Sequence, residues 1–208
     1  MNPEKQNKVV LIIVFALLAA SVIVILAYQQ IVHSRQFFEY NGFTIYEGNK
    51  EGLKSFQIQF FKEGEEKPFV INTRYDPNDL EGIPVYVELR ENIIKERLFI
   101  TMEPTLTGKS TIAFAEIDKY TENPFLFNLP TSPALIRKVE GNELPVITCK
   151  DASASQGVIM FKIGDKNQIY GEQGCVIIEA KTENDLMMGA DRLSLTLLGV
   201  MEENSKSE

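Results

Sequence analysis

VVLIIVFALLAASVIVILAY, residues 9–28, is a 20-residue run without one charged side chain, and its reading decides how the rest of the chain is laid out. At 1.5 Å rise per residue, a helix of this length reaches about 30 Å, the thickness of a bilayer's hydrocarbon core. In that core every backbone amide needs an internal partner, and a helix supplies it despite the many β-branched residues. A buried helix of a soluble protein rarely runs so far without a strongly polar side chain. A cleaved signal peptide is the competing reading, because Lys5 and Lys8 form a basic leader. Its apolar core would usually be about 7–15 residues and end in a small-x-small site. Leu26-Ala27-Tyr28 has no small residue two places before Ala27. The run is therefore expected to be an uncleaved signal-anchor that contacts the lipid bilayer.

The flanks set the expected orientation. Lys5, Lys8 and the terminal amine precede the run, and Arg35 with an uncharged His33 follows it. That bias places the N-terminus in the cytoplasm and the body outside the cell membrane. Ala16 and Ala20 form a small-xxx-small pair of the kind that supports helix pairing. The expected layout is a cytoplasmic tail over 1–8, a transmembrane helix over 9–28 and a juxtamembrane spacer over 29–36. One extracytoplasmic domain then covers 37–201, and 202–208 are expected to form a polar, disordered tail. A β-rich first half and an α/β second half are the alternative, as two subdomains.

The chain has 208 residues, 44% apolar and 24% charged, the composition of an ordinary folded protein. Setting aside the first 28 residues leaves 19 Lys/Arg against 28 Asp/Glu. An acidic body of this kind argues against a nucleic-acid partner, since phosphate binding needs a basic face. Two cysteines are too few for a disulfide scaffold or a four-ligand zinc site.

Beyond the spacer, strand patterns dominate. Residues 43–46, 56–60 and 69–71 read as strands of an antiparallel meander separated by charged turns. Asp76-Pro77-Asn78-Asp79 offers a capping acid, a proline at the first helical position and an acid in the first turn, which predicts one helical turn. Residues 85–89 and 98–100 read as further strands. Ala113, Phe114, Ile117 and Tyr120 have helical spacing over 110–120. Pro124, Pro130 and Pro133 mark 123–133 as an ordered loop. Strands are expected over 144–149, 158–163 and 175–179. In the last helix Thr182 and Asp185 fit a capping box, Leu186, Ala190, Leu193 and Leu197 share one face, and Gly199 is the stop. The expected fold class is α+β: a mixed or antiparallel sheet with about two main helices packed against it.

Candidate chemistry is sparse. Cys149 and Cys175 sit at strand ends, and in an oxidising compartment a bridge between them is the natural reading; two buried free thiols are the alternative. The lone histidine, His33, lies beside the apolar run, which removes the usual cysteine–histidine and serine–histidine arrangements. Ser153 and Ser155 near Lys150 and Lys162 suggest a serine–lysine dyad, but Asp-Ala-Ser-Ala-Ser-Gln-Gly reads better as a capped turn. Thr107-Gly108-Lys109-Ser110-Thr111 has the end of a phosphate-binding loop, yet Glu103 stands where its first glycine is required. Asp76, Asn78, Asp79 and Glu81 offer oxygen ligands for calcium, but Gly82 falls one place late for an EF-hand loop and Val87 holds the twelfth position. No catalytic residue, cofactor site or metal site is assigned on this basis.

Several motifs occur in order along the chain: Tyr40-Asn41-Gly42-Phe43, Arg74-Tyr75-Asp76-Pro77 with Ile83-Pro84, Ile147-Thr148-Cys149 with Asp151-Ala152, Gly174-Cys175, and Ala190-Asp191-Arg192-Leu193 with Leu198-Gly199. In these the chain resembles a group of uncharacterised single-pass membrane-anchored proteins of some archaea. The resemblance spans most of the expected ectodomain, implies pairing of Cys149 with Cys175, and carries no activity. The expected function is a non-enzymatic, membrane-tethered domain that binds a partner or forms part of a cell-envelope assembly. An extracytoplasmic hydrolase using carboxylates on a glycan or peptide is the first alternative, and a calcium-dependent surface module the second.

Overall fold

The computed structural model describes residues 3–34, 37–50, 52–61, 68–106 and 108–204. It is a mixed α+β fold. The chain opens with helix α1 (Pro3–Ser34), 32 residues long, so the helix continues through most of the expected spacer. Its side chains are described from Ile13 to Gln29, and large apolar ones such as Phe15, Leu17, Ile23 and Val24 lie about two-thirds exposed. Among the described residues no helix is long and apolar enough to cross a membrane. The span expected over 9–28 is therefore not shown, since the side chains of Val9, Val10, Leu11 and Ile12 lie outside the described residues. The tails at 1–2 and 205–208 lie outside them as well.

An antiparallel meander follows, in the order β1 (Phe37–Tyr40), β2 (Phe43–Lys50), β3 (Leu53–Phe60) and β4 (Phe69–Thr73). Asn41 and Gly42 both take left-handed φ, 46° and 80°, which makes the β1–β2 link a two-residue turn whose twist suits the paired strands. Ile45, Ile58 and Ile71 line up across β2, β3 and β4 and form the meander's buried row. Asp76 then caps α2 (Pro77–Leu80) through Oδ1, which accepts from the Asn78 backbone N–H at 2.9 Å.

The second sheet has six strands: β5 (Val85–Tyr86), β6 (Arg97–Met102), β7 (Thr131–Leu135), β8 (Gln156–Ile163), β9 (Gln168–Glu172) and β10 (Cys175–Ala180). Their spatial order is β5-β9-β10-β8-β6-β7. The strands β7, β6, β8 and β10 are mutually parallel, and β9 is antiparallel to β10. Helix α3 (Leu89–Ile93) precedes β6, α4 (Gly108–Thr121) carries the crossover from β6 to β7, and α5 (Glu183–Leu197) closes the chain's main body.

Three sequence expectations need correction. The strand expected over 85–89 stops at Tyr86, because Leu89 turns inward as the first residue of α3. The strand over 144–149 is reduced to one bridge, Leu135 with Val146, and a 3-10 turn at Cys149–Asp151. Residues 123–133 are not loop throughout, since β7 includes Pro133; a proline is tolerated there because β7 is an edge strand.

Helices α4 and α5 pack on each other, and α5 packs on β10. From Gly189 to Leu197 every residue of α5 is buried, which requires neighbours on all sides. Gly189 faces Ile178 of the six-stranded sheet, and Asp191 and Arg192 face the segment between β4 and β5. One hydrophobic cluster accordingly joins Ile45, Phe56, Ile58 and Ile71 of the meander with Ile100, Phe161 and Ile178 of the larger sheet.

The C-terminal segment is strapped down. The Arg192 guanidinium donates to the carbonyls of Ile83 (2.9 Å) and Glu202 (2.7 Å). Asn204 donates its backbone N–H to Val85 O and accepts from Val85 N through Oδ1, each at 2.8 Å, which occupies the free edge of β5.

Candidate functional site

The larger sheet puts charge at one particular edge. Strand alternation sends Ile159 and Phe161 of β8 toward the helices, and Val158, Met160 and Lys162 to the opposite face. On that opposite face Glu179 of β10 lies beside both Gln168 of β9 and Lys162 of β8. Met102 pairs with Phe161, so Glu103 leaves β6 next to Lys162. A polar row, Gln168–Glu179–Lys162–Glu103, thus crosses four strands near the carboxyl ends of β6 and β8.

The row's contacts are specific. Gln168 Nε2 donates to Glu179 Oε2 at 2.8 Å, and this bond, together with the Lys162 charge, holds the Glu179 carboxyl below its usual range. Lys162 Nζ donates to Tyr170 Oη at 3.2 Å, which with the nearby acids raises its pKa. Arg137, just past β7, donates through Nε to Glu103 Oε2 at 3.3 Å. Both partners of that pair remain about half exposed, at 58% and 41%.

Of these groups Glu103 and Lys162 line a cleft of about 410 Å³, together with Thr105 and Leu106 after β6, Ile136 after β7, and Met160, Phe161 and Ile163 of β8. Its position follows from topology. The chain leaves β6 through α4 toward β7 on one side, whereas β8 is followed by β9 and β10 on the other. Connections diverging from adjacent parallel strands open a crevice at their carboxyl ends, the usual ligand position in such sheets. Leu106, Ile136, Met160 and Ile163 make its walls apolar. A larger, acidic cleft of about 700 Å³ lies by α3 and includes Glu88, Glu91 and Glu203. There Glu203 Oε1 is already engaged by the Leu89 backbone N–H at 2.9 Å.

A second polar cluster lies on the helix side, with Asp191, Glu116 and Tyr120 buried and Arg74 and Lys119 reaching the surface. Asp191 of α5 is 0% exposed; its Oδ2 accepts from the backbone N–H groups of Arg74 (2.8 Å) and Tyr75 (3.0 Å). Its Oδ1 has no partner. Burial first, and the Glu116 charge second, push Asp191 up to about 7. Glu116 of α4 accepts from Arg74 Nε at 2.6 Å and from Lys119 Nζ. Lys119 Nζ and Tyr120 Oη both donate to Asn72 O, at 2.7 and 2.6 Å. The cluster ties β4, α4 and α5 together, but it lines none of the clefts described here.

Residues singled out in the sequence fall as follows. Cys149 and Cys175 form a disulfide with Cα atoms 5.1 Å apart, packed against Val158 and Ile177. Thr148 and Asp151 cap the 3-10 turn there reciprocally, and the two bonds from Thr148 lower the Asp151 pKa. The Ser153 N–H donates to Gln156 O, the bond of a turn, and Ser155 O accepts from the N–H groups of Glu96 and Arg97 at the start of β6. Lys162 is not part of that turn; it faces Tyr170. Asp76 spends Oδ1 on the Asn78 backbone and side chain, and among the described residues no group of three His, Cys, Asp or Glu is placed to hold a metal. Gly108 opens α4 directly after the β6 loop, while Glu103 puts a carboxylate at the start of that loop.

Glu103, Lys162 and Arg137 were not recognisable as a set in the sequence. Their one shared signal is position, each lying at or just beyond the carboxyl end of a parallel strand. Comparison with protein-family models, with curated proteins and with solved structures finds no match to the chain.

Proposed function

We propose that this chain is a membrane-tethered extracytoplasmic domain, part of the cell envelope, that works by binding rather than catalysis, with the cleft at the carboxyl ends of β6, β7 and β8 as its ligand site. The observation that carries the tether is the outward apolar surface of α1. Ile13, Phe15, Leu17, Leu18, Ile23, Val24, Ile25 and Leu26 are each more than half exposed. Leaving one such side chain in water rather than burying it costs about 1.5–3 kcal/mol, so a helix of this kind requires an apolar surround. The basic residues Lys5 and Lys8 favour the cytoplasmic side for its N-terminus. The disulfide supports an oxidising location for the body. Binding is favoured over hydrolysis because, among the described residues, the two carboxyls raised by burial, Asp118 and Asp191, lie on α4 and α5 and line none of the described clefts.

Thiol labelling in intact cells with a membrane-impermeant maleimide tests the tether and its sidedness. Cys149 and Cys175 are expected to label only after reductant is added outside the cell. Labelling that needs cell lysis even with reductant present overturns the extracytoplasmic placement, and release of the chain by alkaline carbonate overturns the tether.

A further inference from the structure

We propose that the cleft at the carboxyl ends of β6, β7 and β8 takes a free α-amino acid with an apolar side chain. This rests on the reading of that cleft as the ligand site and specifies the ligand's chemistry.

The charges at its rim come with both signs. Glu103 of the lining supplies a carboxylate, and Arg137, ion-paired to it, supplies the cation, whereas the Lys162 ammonium is turned to Tyr170. A simple anion taken by Arg137 would strip Glu103 of its partner, and a simple cation taken by Glu103 would strip Arg137 of its own. A neutral apolar molecule would take water away from both and return no hydrogen bond, which is costly. A zwitterion matches both signs: its carboxylate goes to Arg137, and its ammonium to Glu103.

The existing ion pair leaves room for this exchange. Arg137 touches Glu103 through Nε alone, so its Nη1 and Nη2 donors are not used in the contact. A guanidinium presents a planar fork that can take a second carboxylate in bidentate fashion. The pair is also half exposed, and such pairs rearrange at little cost. Leu106, Ile136, Met160 and Ile163 form the apolar surface that a branched aliphatic side chain would cover. The volume of about 410 Å³ falls toward the small end of ligand sites, which suits one amino acid better than a cofactor.

The test is calorimetric titration of the full chain in detergent micelles with three probes: leucine, leucinamide and N-acetyl-leucine. Leucinamide lacks the carboxylate, as the amino end of a peptide would; N-acetyl-leucine lacks the ammonium, as a peptide's carboxyl end would. Leucine is expected to bind at least about tenfold more tightly than either. Arg137→Gln should weaken leucine by about tenfold, and Glu103→Gln should erase the preference for leucine over N-acetyl-leucine. Both substitutions are at half-exposed positions, and unchanged thermal unfolding would confirm that each variant folds. Equal binding of leucine and either blocked probe overturns the amino-acid assignment while leaving the cleft as a ligand site. No heat from any probe, with no shift in the methyl resonances of Met160 and Ile163, overturns both.

Discussion

The two faces of the six-stranded sheet are built from the same strands and are closed in different ways. On one face Leu98, Ile100, Ile159, Phe161, Val176 and Ile178 are at most 1% exposed beneath α4 and α5. On the other, Val158 and Ile177 are equally buried, but their cover is the chain between β7 and β8. That cover is held at points: the disulfide, the Thr101 hydroxyl donating to Ile147 O at 2.7 Å, and the backbone bonds that Leu135 shares with Pro145 and Ile147. Helices seal a sheet by continuous apolar area, and a loop seals it only where it is pinned. The unpinned stretch beyond Met160 is where Lys162, Glu179 and Glu103 reach solvent and the cleft opens.

The largest expected effect concerns the sealed face. Asp191 is raised to about 7, so between pH 3.8 and 7 the folded chain keeps a proton that the unfolded chain has lost. Its contribution to stability is full below the unfolded pKa and is lost as pH climbs through about 7, an effect of up to about 4 kcal/mol. Denaturant unfolding from pH 4 to 8 should show this slope in the parent chain and its absence in Asp191→Asn. Carboxyls shifted downward, such as Asp151 and Glu179, act in the opposite direction in both chains and cancel from the difference. Parallel pH curves for the two chains would mean that the helix face holds no buried proton.

The loop-covered face should depend on its covalent pin. The disulfide closes a separation of 26 residues, and replacing both cysteines by serine is expected to cost about 3–4 kcal/mol in urea unfolding. A loss below about 1 kcal/mol would show that the loop's other contacts suffice. Gly189→Ala tests how tightly α5 is seated: a Cβ there would lie 2.5 Å from Ile178 Cγ2, and overpacking should lower stability by about 1–3 kcal/mol. The smallest effect is expected from Thr101→Val, which removes the bond to Ile147 O and should cost about 1 kcal/mol. Limited proteolysis should register it as faster cleavage within 136–148, with α4 and α5 no more susceptible than before.

What could be read from the sequence divides along the same line. The capped helix at the end of the chain was legible, because Thr182 accepts from the Asp185 N–H and Gly199 takes a φ of 79°, both local events. The meander was legible through its alternation, and α2 through Asp76 and Pro77. β7 was not, since Ser132-Pro133 reads locally as loop, and only pairing with β6, 33 residues earlier in the chain, makes it a strand. β9 was missed for a similar reason: Gln168 and Tyr170 are only half-buried beside one fully buried residue, Ile169. The cleft lay beyond sequence reasoning altogether, because Glu103, Arg137 and Lys162 come to one end of the sheet only once the parallel order of β7, β6 and β8 is set.

The strap at Asn204 has a consequence for neighbouring copies. A sheet that ends in an open strand can be continued by a strand from another molecule, which is how chains polymerise edge to edge. Here both backbone groups of Val85 are taken up by Asn204, and Arg192 clamps the segment that brings it there. The segment that ends at Asn204 therefore acts as a stopper against sheet growth, and replacing Asn204 would expose a templating edge.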